Sequence, residues 1–196
     1  MHDFSTIGRP KSVKDLPSET PAALPEASNE FAVELWNRIR RQEGNLAVSP
    51  SSIYLALAMT WAGARSETAG QMAEVLHLQG REGIHEAAAT LLYDWNDPSR
   101  TAYELRIVNR LFGEQSYRFE EEYLELVRRR YGAPLERIDF RYAPEPSRAR
   151  INAWIEQQTA ERIRDLLSPG DVGELTRLIL TNAVYFLGKW VEPFYE

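Results

Sequence analysis

Asn45–Leu76 reads NLAVSPSSIYLALAMTWAGARSETAGQMAEVL. Leu46–Val48 is a short apolar run, the length of a small strand. Ser49 and Pro50 then signal a helix start. Serine is a favoured cap, and proline at the first helical position lacks an N–H that would have no intrahelical partner there. Ile53–Ala64 is apolar nearly all round, which predicts a buried helix. Ser66 reads as the cap of a third helix carrying Met72, Val75 and Leu76. A second stretch, Thr176–Phe194, reads TRLILTNAVYFLGKWVEPF. Its first part, Thr176–Phe186, is a strand with two largely apolar faces, expected to be central and covered on both sides.

Working outward, Asn29–Arg41 repeats Phe31, Leu35 and Ile39 at helical spacing, with Trp36 widening the stripe. Met1–Ser28 carries Pro10, Pro17, Pro21 and Pro25, which prevent a long helix, and is expected to be a flexible leader to a domain of residues 29–196. A fourth helix spans Glu82–Trp95. Tyr103–Phe112 alternates Leu105, Ile107 and Leu111 with Glu104, Arg106 and Arg110, the pattern of a strand with one buried face. Phe119–Tyr131 is an amphipathic helix and Leu135–Phe140 a short strand. Pro144–Leu167 contains the longest helix, with Ile151, Trp154, Ile155, Ile163, Leu166 and Leu167 inward. SPGDVGEL, from Ser168, is a turn-rich connection. The class is α+β. Leu46–Val48 has no obvious partner nearby, and buried strand groups need one, so the complete domain is expected to include chain beyond these residues.

Composition narrows the function. A formal net charge of −6 and a pI near 5.3 argue against nucleic acid, because neutralising phosphate needs a basic patch. Arg128–Arg130 is read as a solvated helix face, and Glu120–Glu122 as a helix start favoured by the dipole. Cysteine is absent, which excludes disulfides, thiol catalysis and cysteine-ligated zinc but leaves the compartment open. No apolar run approaches the roughly 20 residues of a membrane span. Met1–Glu30 has no apolar signal core, so either the protein stays inside the cell or a signal lies upstream. His2, His77 and His85 lack ligand spacing, and no hydrolase elbow, phosphate loop or zinc-protease motif occurs. Neither an enzyme activity nor a cofactor is expected.

The two quoted stretches resemble the serpin family in N-x-x-x-S-P-x-S-I, standing as Asn45, Ser49, Pro50, Ser52 and Ile53, followed by Ala56–Met59, Gly63, Ala64 and Thr68. They resemble it again in T-N-A-x-Y-F-x-G-K-W and P-F, standing as Thr181–Ala183, Tyr185, Phe186, Gly188–Trp190, Pro193 and Phe194. Ile151, Asn152, Trp154, Ile155, Thr159, Ile163 and Leu166 are similar to the helix across the front of the large serpin sheet. Val108–Phe140 is similar to the strand–helix–strand before it. The resemblance covers about Glu30–Glu196. Two departures stand at Glu161 and Arg162, where the family more often has Gly-Lys, and a third at Leu187, replacing a frequent lysine.

The resemblance implies a suicide inhibitor of a serine protease, or of a cysteine protease, whose cleaved bait loop inserts as an added strand. Ser49, Pro50, Ser52 and Asn182 match the shutter, where the sheet opens. Trp190 matches the breach, where insertion begins. Taken singly, Ser49 also reads as an N-cap, Pro50 as a first-turn proline, Asn182 as a satisfied core amide and Trp190 as ordinary core. In the family the bait loop lies near the C-terminus, so these 196 residues alone are expected to inhibit nothing and to fold poorly, with aggregation, oligomers or dependence on a complementary C-terminal polypeptide as the outcomes. Alternatives are a non-inhibitory serpin-like binding module and a gene remnant. The counterpart of Glu82–Trp95 is basic and binds heparin in some serpins; here it is acidic to neutral, so heparin is not expected as a partner. Family members are often extracellular.

Overall fold

A computed structural model describes residues 23–190 and Glu192. Most of the expected leader, Met1–Ala22, and the Pro193–Phe194 motif lie outside the described residues. The elements are α1 (Ala23–Ile39), α2 (Pro50–Gly63), α3 (Ser66–Val75), α4 (Ile84–Trp95), β1 (Tyr103–Glu114), α5 (Glu121–Tyr131), β2 (Leu135–Ile138), α6 (Pro144–Gln158) and β3 (Leu178–Gly188).

The sheet has the order β2–β1–β3. β1 and β2 are parallel, and α5 makes the crossover that parallel strands need. β1 and β3 are antiparallel over Tyr103–Gly113, with Asn109 opposite Asn182. β2 reaches only Leu111–Glu114, so the earlier part of that β1 edge needs another partner. Asn96 supplies one at the end of α4: its Nδ2 donates to the Ile107 carbonyl at 2.9 Å and its Oδ1 accepts the Ile107 N–H at 2.7 Å.

Alternation along the strands divides the core in two. Ile107 and Leu111, joined by Leu180 and Val184 of β3, pack against α1, α2, α4 and α5. On the opposite face Val108, Phe112 and Ala183 pack against Ile151, Trp154 and Ile155 of α6. β1 is therefore covered on both faces, and the expected single buried face holds only near Glu104 and Arg106. Arg110 lies on the α6 side, where its guanidinium pairs with Glu136 at 3.1 Å and stands 5.4 Å over Trp154. The charge marks a partnered position under a helix.

Several boundaries differ from expectation, each for a local reason. α1 begins at Ala23 because Leu24, Ala27 and Ser28 are buried with Phe31, so the last six residues of the expected leader are helical. Leu46–Val48 forms no ladder among the described residues, and Leu46 and Val48 are exposed. α2 is buried on one side only, leaving Ile53 and Thr60 exposed. Ser66 does not cap α3: Arg65 precedes the helix, and Ser66 has φ +52°. α6 stops at Gln158 because Ala160 and Glu161 take left-handed φ of +49° and +59°. The chain then returns along the helix. Asn152 Nδ2 donates to the Leu167 carbonyl and its Oδ1 accepts the Leu167 N–H, both at 2.9 Å. Ile163 and Leu167 still reach the core, but Leu166 is exposed.

α5 carries Glu121 and Glu122 in its first turn and Arg128–Arg130 in its last, matching the helix dipole at both ends. It ends at Gly132, whose φ of +61° suits a glycine and sends its N–H to the Val127 carbonyl. Arg128 and Arg129 pair with Glu125, as a solvated face would. Arg130 instead reaches Glu86 at 3.2 Å, tying α5 to α4.

Candidate functional site

Ser52 sits in the first turn of α2, on the stripe continued by Leu55 and Met59, and is 4% exposed. That stripe faces the side of the sheet presenting Asn109 and Asn182. The Ser52 hydroxyl donates to Asn182 Oδ1. Asn182 Nδ2 donates to Asn109 Oδ1 at 2.7 Å. Asn109 Nδ2 points to the carbonyl of Tyr131, at the end of α5, with a long contact of 3.4 Å. The donors all run one way, from helix to strand to strand to helix. Such a chain polarises each link, and it leaves each amide group with a partner.

The network joins α2, β3, β1 and α5 through short polar side chains at the middle of the β1–β3 register. β1 holds one edge of β3 through the whole register. Among the described residues the other edge of β3 has no strand beside it. An unpaired edge is a template for a further strand.

Of the five residues singled out in the sequence, the structure joins Ser52 and Asn182. Ser49 is exposed at the start of α2, makes no side-chain cap bond, and contributes its carbonyl to the Ile53 N–H at 3.2 Å. Pro50 occupies the first helical position and aims the helix. Trp190 lies outside the network: it follows the end of β3 and is 77% exposed. Gly188 alone is already six residues from Asn182, roughly 20 Å along a strand.

Asn109 is the residue that sequence reasoning missed. It is 2% exposed and forms the middle of the chain. Its local signal, an amide between Val108 and the buried Leu111, matches the one that for Asn182 read only as a satisfied core amide; the resemblance is what marked Asn182. Tyr131 was also missed as a member. Its ring is fully buried, its carbonyl ends the amide chain, and its hydroxyl lies 2.6 Å from His85 Nδ1.

A second buried polar group braces the far end of β1. Glu114, 2% exposed, accepts the Ser116 hydroxyl at 2.7 Å and the backbone N–H groups of Ser116, Phe140 and Arg141 at 3.1, 2.7 and 3.2 Å. The Ser116 contacts foremost hold its carboxyl below the usual range. It fixes the turn after β2 against β1 and carries no reactive geometry.

Comparison with known proteins agrees with this architecture. The family model for serpin (serine protease inhibitor) matches residues 26–196. Bovine leukocyte elastase inhibitor is 45% identical over 173 residues, covering 87% of this chain and 45% of the relative. Human serpin B3 is 40% identical over 189 residues, covering 88% and 48%. Among solved structures, emu ovalbumin superposes with a TM-score of 0.82 at 30% identity, covering 88% of this chain and 49% of that one. The chain spans about half the length of the relatives it matches. With a family match over most of its length and a sheet, helix order and core to agree, the chain belongs to the serpin family.

Proposed function

We propose that this chain is the N-terminal part of a serpin-type inhibitor of a serine protease, and that it supplies the part of the sheet that opens. In this reading β3 keeps β1 on one edge and accepts a new strand on the other. Ser52, Asn182 and Asn109 hold the closed state, and they exchange partners when the strand enters. Ser49 and Pro50 set the start of the helix beneath, and Trp190 marks the end of β3 where insertion would begin. The observation that carries the reading is the bond from Ser52 to Asn182, which fastens a core helix to the strand bordering the unpaired edge. Strand addition gains a full ladder of backbone bonds, and a fold that lacks that strand can store the difference.

The test is covalent capture. Residues 1–196 are co-expressed with the C-terminal half of bovine leukocyte elastase inhibitor, and the product is mixed with an elastase. A complex stable in sodium dodecyl sulfate, absent for residues 1–196 alone, is the expected result. Simple cleavage of the bait loop by a folded, reassembled protein, with no trapped protease, would overturn the inhibitory reading and favour a non-inhibitory binding module.

A further inference from the structure

His85 of α4 is wedged between two other helices. Its ring lies 5.4 Å from that of Trp61 on α2, tilted by 31°, and 5.7 Å edge-on from that of Tyr131 on α5. Trp61 is itself pinned by its Nε1–H to the Ala69 carbonyl at 3.2 Å. The Tyr131 hydroxyl, fully buried, lies 2.6 Å from His85 Nδ1. With the neutral ring's proton on Nε2, Nδ1 accepts a hydrogen bond from the tyrosine hydroxyl. A protonated one cannot, and it donates instead to the phenol oxygen. The phenol proton must then turn into a site closed to water, at the cost of an unmet buried donor. The same Tyr131 offers its carbonyl to Asn109, the last acceptor in the Ser52–Asn182–Asn109 chain.

We propose that His85 is a proton-sensitive latch on the sheet: neutral, it holds Tyr131 and through it Asn109; protonated, it reverses the bond, leaves the Tyr131 hydroxyl proton unmet and loosens both, which eases opening along β3. The functional consequence rests on the proposed opening role of the Ser52–Asn182 network, while the coupling itself does not. Burial pushes the imidazole below its ordinary range, Glu86 on its own helix opposes this, and Arg130 on α5 reinforces it. Glu86 and Arg130 pair with each other at 3.2 Å, so they offset one another. The other titratable groups near Tyr131 are Tyr54 of α2 and Tyr123 of α5, both neutral phenols with their ionisation pushed up by burial. With its folded value depressed, His85 contributes stability that is complete above the ordinary imidazole range and is lost as pH falls toward the folded value.

Hydrogen exchange of the full chain, corrected for intrinsic rates, is compared at about pH 7.5 and about pH 5.5, on either side of the ordinary imidazole value. The latch requires that acid lower protection in α4 and α5 together with β1 and β3. His85→Asn, whose Oδ1 replaces Nδ1 as an acceptor but does not titrate, should hold protection level at both pH values. An equal acid loss in this variant, or a loss confined to α4 and α5, overturns the proposal. A second measurement does not depend on that variant folding. Coupling is reciprocal, so Ser52→Ala should shift the His85 ring titration seen by NMR. An unmoved titration overturns the latch whatever the protease-capture test shows.

Discussion

Ala160 and Glu161 both take left-handed backbone conformations, and the second stands where the family more often has glycine. An L-residue there costs roughly 1–2 kcal/mol, against the roughly 0.5–1 kcal/mol of extra chain entropy that glycine loses on folding. Glu161→Gly is therefore expected to stabilise the protein by about 0.5–1 kcal/mol, read as a higher urea midpoint at unchanged slope. A lower midpoint would show that the Glu161–Arg164 pair, 3.1 Å apart and exposed, outweighs the backbone. The sign of φ is what gives the departure a cost. Glu114 gives a pH effect of defined sign. Its carboxyl is held below its ordinary value by the Ser116 hydroxyl and three backbone donors, so the stability it contributes is present above about pH 4.5 and is lost as pH falls through the depressed value. Urea titrations between neutral pH and about pH 3 should show a shallower acid loss in Glu114→Gln, and a lower neutral midpoint. Identical acid limbs would exclude this carboxylate as a contributor. Ser52→Ala or Asn182→Ala strips partners from a buried amide chain, at an expected cost of about 1–3 kcal/mol each. The double variant should cost less than the sum, because both act on one network. Strict additivity would mean that the contacts are independent.

At the scale of elements, the existence of β1, β2 and β3 was legible because alternation and apolar runs survive without context, but β3, expected to be central and covered, lies at the edge of the sheet among the described residues and is exposed at Phe186 and Leu187. Strand ends were less legible. β1 runs on through Gly113 and Glu114 because Gly113 leaves room for a close approach: a Cβ there would stand 2.7 Å from Phe119 and 2.8 Å from Leu135, both side-chain atoms. Gly113→Ala is expected to cost about 1–3 kcal/mol by overpacking, measured as a lower melting temperature. A neutral result would mean that Phe119 swings aside freely. The helix expected within Pro144–Leu167 to be the longest ends at Gln158 and is shorter than α1, although its apolar spacing continues past that end. Ile163 and Leu167 reach the core by a returning chain rather than by helical periodicity, so the pattern alone could not separate the two. Leu46–Val48 reads as a strand from its side chains, but a strand also needs a partner, and none is beside it among the described residues.

For the molecule as a whole, the two quoted stretches carried family and class, since Ser52 and Asn182 lie 130 positions apart in sequence and meet in one bond. What local reading could not supply was the third dimension of that site: that Asn109 stands opposite Asn182, and that Tyr131 closes the chain. Both follow from the β1–β3 register and the α5 crossover, which depend on long-range packing. Apolar surface remains on view at Phe186, Leu187 and Trp190 near the end of β3. This is the surface that strand addition along the unpaired edge would begin to cover. The most direct measurement of that claim is amide exchange, residue by residue, along Leu178–Gly188, with and without the complementary serpin half and its cleaved bait loop. Without that half, β3 is expected to show alternate slow and fast amides, those bonded to β1 and those facing outward, and the outward set is expected to become slow when the loop is cleaved and inserted. An outward set that stays fast after cleavage, while the β1-bonded set stays slow, would contradict it.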